Sequence, residues 1–322
     1  MTNPTKVLAM HPGMQGLFPN KPDHWEFVDT NGDVEKTIAE MGGDVEILLS
    51  ASVEKLDKAM LDCFPNLKMI ASISAGFNNV DLEECKAREI AVTNAPGLNS
   101  GDVADVAVTM LTSLLLRIPQ NHYYIMSDQW VTKNGPIRHS MRGMPIGIVG
   151  LGSIGKEVFK RLEPFGMDIK WWGPRRKSEI SIPYVSSLSE LVKQSRGLIV
   201  CCRPDQSTHH LINREMLDQL GSDGVIVNVS RGTVVDERAL IFALNSKRIG
   251  GAGLDVFDPE PTNSAKWVDV PNIILSPHQG GTTYETLFAQ AQLAQNNIEN
   301  FLDEKPLLSS VLDYDVLEEA SR

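Results

Sequence analysis

The chain has 322 residues, 42% hydrophobic, 6% aromatic and 22% charged, a composition of globular proteins with length enough for two domains. With 41 acidic against 30 basic residues the formal charge is −11. This argues against broad binding to nucleic acid or acidic membranes, though not against a small anion held by local cations. Cys63, Cys85, Cys201 and Cys202 lack metal-ligand spacing, so the expectation is no metal and a reduced, cytoplasmic compartment.

Met1 to Lys6 is polar and runs directly into a strand-like segment, so no signal peptide is expected. The most apolar stretch, Val103 to Leu116, carries Asp105, Thr109, Thr112 and Ser113 and is too short to span a bilayer. It reads as a buried helix. Across the first hundred residues the apolar runs are Val7 to Met10, Val45 to Leu49, Met69 to Ser74 and Ile90 to Val92. Helix-compatible stretches, Val53 to Cys63 and Leu82 to Arg88, lie between them, which is the alternation of a parallel α/β layer.

After Ala95-Pro-Gly97 a helix starts near Ser100 or Asp102, a good N-cap, and buries Val103, Val106, Ala107, Met110 and Leu114. Ile118-Pro119 should break it. Gln120 to Gly143, with Tyr123, Tyr124 and Trp130, has no clear period and reads as an irregular arm suited to packing on another subunit. From there strands at 146 to 149, 169 to 172, 197 to 201, 225 to 229, 251 to 255 and 273 to 275 alternate with helices at 154 to 163, 187 to 194 and 236 to 246. That is a doubly wound pattern. A final helix, Glu285 to Asp303, carries Leu287, Phe288, Ala291, Ile298 and Phe301.

The segment Pro145 to Lys156 holds Gly150, Gly152 and Gly155 in the spacing Gly-x-Gly-x-x-Gly between a strand and a helix. The first glycine permits a sharp turn, the second lets a pyrophosphate approach the backbone, and the third lets helix and strand pack closely. The ribose reader of such a unit belongs at the end of the next strand, where the sequence is Trp171-Trp-Gly-Pro-Arg-Arg-Lys177. No carboxylate stands there to take a 2′-hydroxyl. Arg175, Arg176 and Lys177 offer donors for a 2′-phosphate, which favours NADP over NAD; the bland alternative is a solvated basic turn. Arg203 could add a second cation.

Three later strands each end in a polar group of a different type, in the order Arg231, Glu260, His278. A guanidinium can clamp a carboxylate and polarise a carbonyl, and an imidazole can move a proton near neutral pH. Glu260, between two prolines, could receive the other imidazole N–H and fix the tautomer. Singly, each has an ordinary reading as an ion-pair partner, a solvated loop carboxylate or a satisfied histidine. Their convergence on consecutive strand ends after a dinucleotide turn favours catalysis. Asp255 either bonds the nicotinamide carboxamide or caps its strand.

Taken with Ser74-Ala-Gly-Phe-Asn-Asn-Val-Asp81, Asn94-Ala-Pro-Gly97, Ser230-Arg-Gly232, Leu254-Asp-Val-Phe257, Glu260-Pro261 and Pro277-His-Gln-Gly-Gly281, these residues identify a resemblance. Over nearly its whole length the chain is similar to the D-isomer-specific 2-hydroxyacid dehydrogenases. The resemblance implies an α/β fold of two Rossmann or flavodoxin-like parallel-sheet domains with a cleft between them. The domains would be a discontinuous substrate domain, 1–98 plus 286–322, and a dinucleotide domain, 99–285. It also implies a homodimer built through the nucleotide domain, while the charge balance leads to the expectation of no binding to nucleic acid or membranes. Arg231 becomes the substrate-binding residue, and Glu260 and His278 the proton-transfer pair.

Implied cofactor contacts are Gly150, Gly152, Ser153, Ile154, Gly155, Arg175, Arg176, Lys177, Cys202, Arg203, Ser230, Asp255 and Gly280. Substrate contacts would be Ser50, Ala51, Ala75 and Gly76 besides Arg231 and His278. His11 and Met14 would wall the pocket, with Met141 or Trp130 from a neighbouring subunit. The basic turn is similar to that of NADPH-dependent glyoxylate and hydroxypyruvate reductases, although Pro174 stands where those often carry their first basic residue. A glyoxylate or hydroxypyruvate reductase is therefore expected. The alternatives are a reductase of a bulkier 2-oxo acid, such as 2-ketogluconate or an aryl pyruvate, and a dinucleotide-sensing dimer of the corepressor type.

Overall fold

A computed structural model describes residues 4–11, 13–28, 33–51, 54–131 and 137–312. The chain divides into two compact units, one of Met1–Asn99 with Thr282–Arg322, the other of Ser100–Gly281.

The first unit is built on five strands, β1 (Thr5–Ala9), β2 (Trp25–Val28), β3 (Ile47–Ser50), β4 (Met69–Ser72) and β5 (Ala91–Thr93), in the order β2-β1-β3-β4-β5. Every pairing is parallel. Successive side chains leave opposite faces of a strand, and both faces here are apolar. Leu8, Leu48, Ile70 and Val92 enter one core, while Val7, Ala9, Ile47, Leu49, Met69 and Ala71 enter the other. The second core is closed by Ala291, Ala294 and Ile298 of the unit's longest helix, Tyr284–Leu302. That helix returns the end of the described chain to the first sheet, and the Thr283 side chain caps it by accepting the Thr286 N–H.

In chain order the helices are α1 (Val34–Met41), α2 (Lys58–Leu61), α3 (Leu82–Ala87), α4 (Ser100–Leu115), α5 (Ile118–Met126), α6 (Ser153–Leu162), α7 (Leu188–Gln194), α8 (Arg214–Leu220), α9 (Glu237–Asn245) and α10 (Tyr284–Leu302). The second unit holds six parallel strands, β6 (Pro145–Val149), β7 (Asp168–Trp172), β8 (Gly197–Val200), β9 (Val225–Asn228), β10 (Gly251–Leu254) and β11 (Ile273–Leu275). Their order is β11-β10-β9-β8-β6-β7. One face buries Ile146, Ile148 and Ile199 under α4 and α6, and the other buries Val149, Leu198 and Val200 under α7, α8 and α9. Since β6 lies between β7 and β8, the direction of winding reverses there, which is where sheets of this kind form a ligand crevice.

Several segments differ from the sequence expectation. The strand Trp25–Val28 and helices Val34–Met41 and Arg214–Leu220 add to the expected elements. The stretch expected as a helix over Val53 to Cys63 is helical only at Lys58–Leu61, capped by Asp57, and its start lies outside the described residues. Pro119 opens a helix instead of ending structure: it stands in the first turn of α5, where a missing N–H costs nothing. The supposed arm is thus helical to Met126 and continues as a short 3-10 turn, Gln129–Val131. Among the described residues no helix is long and apolar enough to cross a membrane.

Candidate active site

At the end of β6 the chain turns through Gly150 with φ 94°, and a Cβ there would lie 2.4 Å from Cys202 Cα. Only glycine satisfies both constraints. A Cβ on Gly155 would lie 2.4 Å from the Gly150 carbonyl oxygen, so α6 starts directly against the strand end. Gly152 differs, because a Cβ there would meet nothing within 4 Å. It is also the N-cap of α6, and among the described residues no side chain caps that end, which leaves the first-turn N–H groups after it, at Ser153 and Ile154, without a side-chain acceptor. A bare backbone turn at a helix N-terminus, on the switch point of a parallel sheet, fits the pyrophosphate of a dinucleotide.

The residues after β8 are built into this turn. Cys201 Sγ donates to the Gly150 carbonyl at 3.1 Å, and Ser230 Oγ donates to the Cys202 carbonyl at 2.5 Å. Burial pushes the Cys202 thiol up to about 11, and raises that of Cys201 as well, so both stay protonated near neutrality.

The basic turn after β7 is unequal in its parts. Lys177 Nζ donates to the Leu151 carbonyl at 2.8 Å, tying the turn over the glycine loop. Arg175 and Arg176 are exposed and available to an anion. Arg203 is exposed too, and its charge helps hold the Asp205 carboxyl below the ordinary value, behind the larger effect of the Ser207 hydroxyl.

Arg231, Glu260 and His278 all follow the carboxyl ends of strands, β9, β10 and β11 respectively. Backbone contact brings the first two loops together: a Cβ on Gly232 would lie 1.9 Å from the Phe257 carbonyl carbon and 2.4 Å from the Asp258 nitrogen. Arg231 is shaped locally by Asn228, whose Nδ2 donates to the Arg231 carbonyl at 2.9 Å and whose Oδ1 accepts the Ser230 N–H at 3.0 Å. Its Nη1 donates to the Ser230 carbonyl at 2.7 Å. Burial lowers the guanidinium pKa while the Glu260 charge opposes that shift. The group remains a cation.

Glu260 Oε1 accepts the Phe257 N–H at 2.8 Å, and Oε2 meets His278 Nδ1 at 2.6 Å. Partial burial pushes the carboxyl up. The bond to His278, the Phe257 N–H, and the charges of His278 and Arg231 outweigh it, so the net shift is downward from 4.5. Glu260 is therefore an acceptor at neutral pH, and Nδ1 of His278 is the donor. The imidazole keeps Nε2 for other work.

Asp255, buried after β10, accepts the Gln279 N–H at 3.0 Å and the Gly280 N–H at 2.9 Å, while its carbonyl takes the His278 N–H at 2.8 Å. Asp255 thereby holds the loop that carries His278. A Cβ on Gly280 would lie 2.6 Å from Asp255 Oδ2, so glycine there is demanded by this clamp. His278 itself takes φ 54°, an unusual conformation for a non-glycine residue that the three bonds to Asp255 help to hold. Glu237 does for the other loop what Asp255 does for this one. It is buried, pairs with Lys266, and accepts the Asp258 N–H at 2.9 Å. The sequence pattern assigns neither Asn228 nor Glu237 a role in the site: Asn228 ends β9 but acts only by shaping the backbone of Arg231, and Glu237 opens a helix away from any strand end.

Within the first unit, the carbonyls of Ala75 and Gly76 accept from Asn94 Nδ2 at 2.7 Å and Ser74 Oγ at 3.0 Å, so this bend is held from two sides. Ser50 is fully buried and donates to Glu54 Oε2 at 3.2 Å; Ala51 packs against the core. Met14, expected as a pocket wall, is a core residue at 4% exposure, because its short 3-10 turn folds back against α10. In the second unit Met141 lies against the core, and Trp130 is exposed. Among the described residues no group of three His, Cys, Asp or Glu side chains could hold a metal ion.

The family model for D-isomer specific 2-hydroxyacid dehydrogenase, NAD binding domain, matches residues 108–280. The chain belongs to this family of dehydrogenases. It is 41% identical over 254 residues to the glyoxylate/hydroxypyruvate reductase HPR3 of Arabidopsis thaliana, covering 78% of each chain. It is 38% identical over 256 residues to the hydroxyphenylpyruvate reductase of Plectranthus scutellarioides, covering 80% of this chain and 82% of that one. A crystal structure of an NADPH-dependent glyoxylate/hydroxypyruvate reductase from Sinorhizobium meliloti, in complex with NADP and malonate, superposes with a TM-score of 0.82 at 30% identity, over 96% of this chain and 97% of that one.

The lowered Glu260 pKa gives a stability contribution that is complete above the ordinary glutamate value of 4.5 and is lost as pH falls through the folded-state value. Urea midpoints of the wild type and Glu260→Gln should therefore differ at pH 7 and converge as pH falls from 4.5 through the lower folded-state value. Midpoints that stay parallel across that range would contradict the assigned shift.

Proposed function

We propose that this chain reduces a small 2-oxo acid of the glyoxylate or hydroxypyruvate type to the D-2-hydroxy acid, with NADP(H) preferred and NAD(H) possible. The observation that carries this reading is the 2.6 Å pair of His278 and Glu260, with Arg231 close enough for its charge to act on Glu260. When bound, the nicotinamide supplies a hydride to the carbonyl carbon. The chain's own residues do the rest. Arg231 takes the substrate carboxylate and polarises the carbonyl oxygen. His278, with Nδ1 engaged by Glu260, releases a proton from Nε2 to that oxygen, and the carbonyl becomes an alcohol.

Gly150, Gly152, Ser153, Ile154 and Gly155 would hold the pyrophosphate, with Cys202, Ser230, Asp255 and Gly280 shaping the surrounding loops. Arg175 and Arg176 would read a 2′-phosphate, with Arg203 as an additional cation. NADP in the Sinorhizobium meliloti structure supports that reading. The first unit is proposed as the substrate domain, with Ser50, Ala51, Ala75 and Gly76 as contacts. We also propose a homodimer: Tyr123, Ile125 and Met126 of α5, and Trp130 after it, are each more than half exposed, which is costly for a surface that stays in water. Unpaired cysteines fit a reducing cytoplasm. The 38% identity to hydroxyphenylpyruvate reductase favours one second reading, a bulkier aryl pyruvate as substrate.

With glyoxylate, hydroxypyruvate and hydroxyphenylpyruvate as substrates, His278→Ala should lower reduction about 10²- to 10⁴-fold with cofactor affinity nearly unchanged. Turnover near the wild-type level would remove His278 from the proton-transfer role, and no oxidation of reduced cofactor by any of the three would refute the substrate class. Arg176→Ala should raise the KM for NADPH far more than that for NADH. Equal effects on both would remove the 2′-phosphate contact.

A further inference from the structure

The carboxyl edge of the second sheet carries the residues treated above, and the opposite edge holds a cavity of about 390 Å³. Its wall is made where the strands begin: Arg196 precedes β8, Val225 opens β9, Gly250 precedes β10 and Asn272 precedes β11. The cavity is therefore separated from Arg231, Glu260 and His278 by the length of the strands. Buried Leu114, Leu115, Met144, Leu244 and Ile249 supply the apolar part of its lining, which serves as its floor.

Its rim is cationic. Arg117, Arg138 and Lys247 all line it, each is exposed, and among the described residues none forms an ion pair. Among the described residues Arg196 is the one lining cation that is neutralised, by Asp223 at 3.2 Å. Three unneutralised cations on one small cavity are unexpected in a chain of charge −11. Gln120 Nε2 donates to Asn272 Oδ1 at 3.0 Å, which ties the start of α5 to the lead into β11 and fixes the side of the cavity that carries Arg117. Arg117 and Lys247 follow the C-termini of α4 and α9, where a cation also complements the helix dipole. That accounts for neither Arg138 nor the apolar floor.

From this arrangement we infer a second binding site, for a small anion with an apolar body. The floor takes the body and removes it from water, and the rim of Arg117, Arg138 and Lys247 takes the acid group. A cavity of this size falls within the range of small-ligand sites. One sign of charge around low-dielectric walls raises the local concentration of anions.

The site can be probed with 8-anilinonaphthalene-1-sulfonate, an aryl sulfonate, by isothermal titration calorimetry of the whole protein with NAD+ and NADP+ saturating, so that the nucleotide turn is blocked. The probe should bind at one site per chain, and Arg117→Glu with Arg138→Glu should weaken it by at least about tenfold while leaving turnover of the 2-oxo acid unchanged. Inorganic phosphate should bind at least about tenfold more weakly than the probe, because it has no body to bury. Absence of probe binding, equal binding by the double variant, or phosphate binding as tight as the probe would each overturn the inference.

Discussion

The hydrogen bond between His278 Nδ1 and Glu260 Oε2, 2.6 Å long, is the interaction on which the candidate chemistry rests. It commits one ring nitrogen and leaves the other to act, and it does so between loops that follow two different strands. Neither side chain could find the other reliably if its loop were free, because a partly exposed ion pair alone contributes little. The backbone around each is therefore held by buried groups. Asp255 takes three bonds from the His278 loop, Glu237 and Lys266 hold Asp258, and the backbone of Gly232 lies directly on the Phe257–Asp258 peptide. Pre-organisation is bought with buried acids and a glycine, away from the reacting groups.

The same logic of close backbone contact governs the nucleotide turn. Gly150 and Gly155 admit no side chain because strand end, helix start and Cys202 are in contact, whereas Gly152 admits one sterically and leaves its face open. Two glycines are therefore required by packing, and the third is what a phosphate would require. Burial of Cys201 and Cys202 beside this turn keeps both thiols protonated, so they serve as apolar packing.

Where apolar runs were bounded by turn residues, the strands of both units were legible to within a residue or two, as with Ile146 to Val149 and Ile273 to Leu275. Trp25-Glu-Phe-Val28 escaped because its alternation is short and follows a polar, proline-containing lead. The helix Arg214–Leu220 escaped because only Leu217 and Leu220 are buried, and its clearest signal is the Asn213 cap. Ile118-Pro119 has the local pattern of a breaker, yet the position of Pro119 at the start of α5 makes it an initiator. In the site, residues with chemistry of their own were visible as strand-end types. Glu237, which acts through another loop, and Asp255 in its role as a clamp depend on contacts more than twenty residues apart that no local pattern records. Asn228 acts locally, on Ser230 and Arg231, through a turn geometry its residue type does not announce.

The most direct test is the ¹⁵N NMR spectrum of the imidazole of His278 in protein labelled at histidine, assigned by comparison with His278→Ala. Wild type should show a protonated Nδ1 with the downfield proton of a strong hydrogen bond, and that signal should collapse in Glu260→Gln. A neutral ring with its proton on Nε2 alone, unchanged by that substitution, would contradict the assignment of Glu260 as the group that holds His278 for proton transfer.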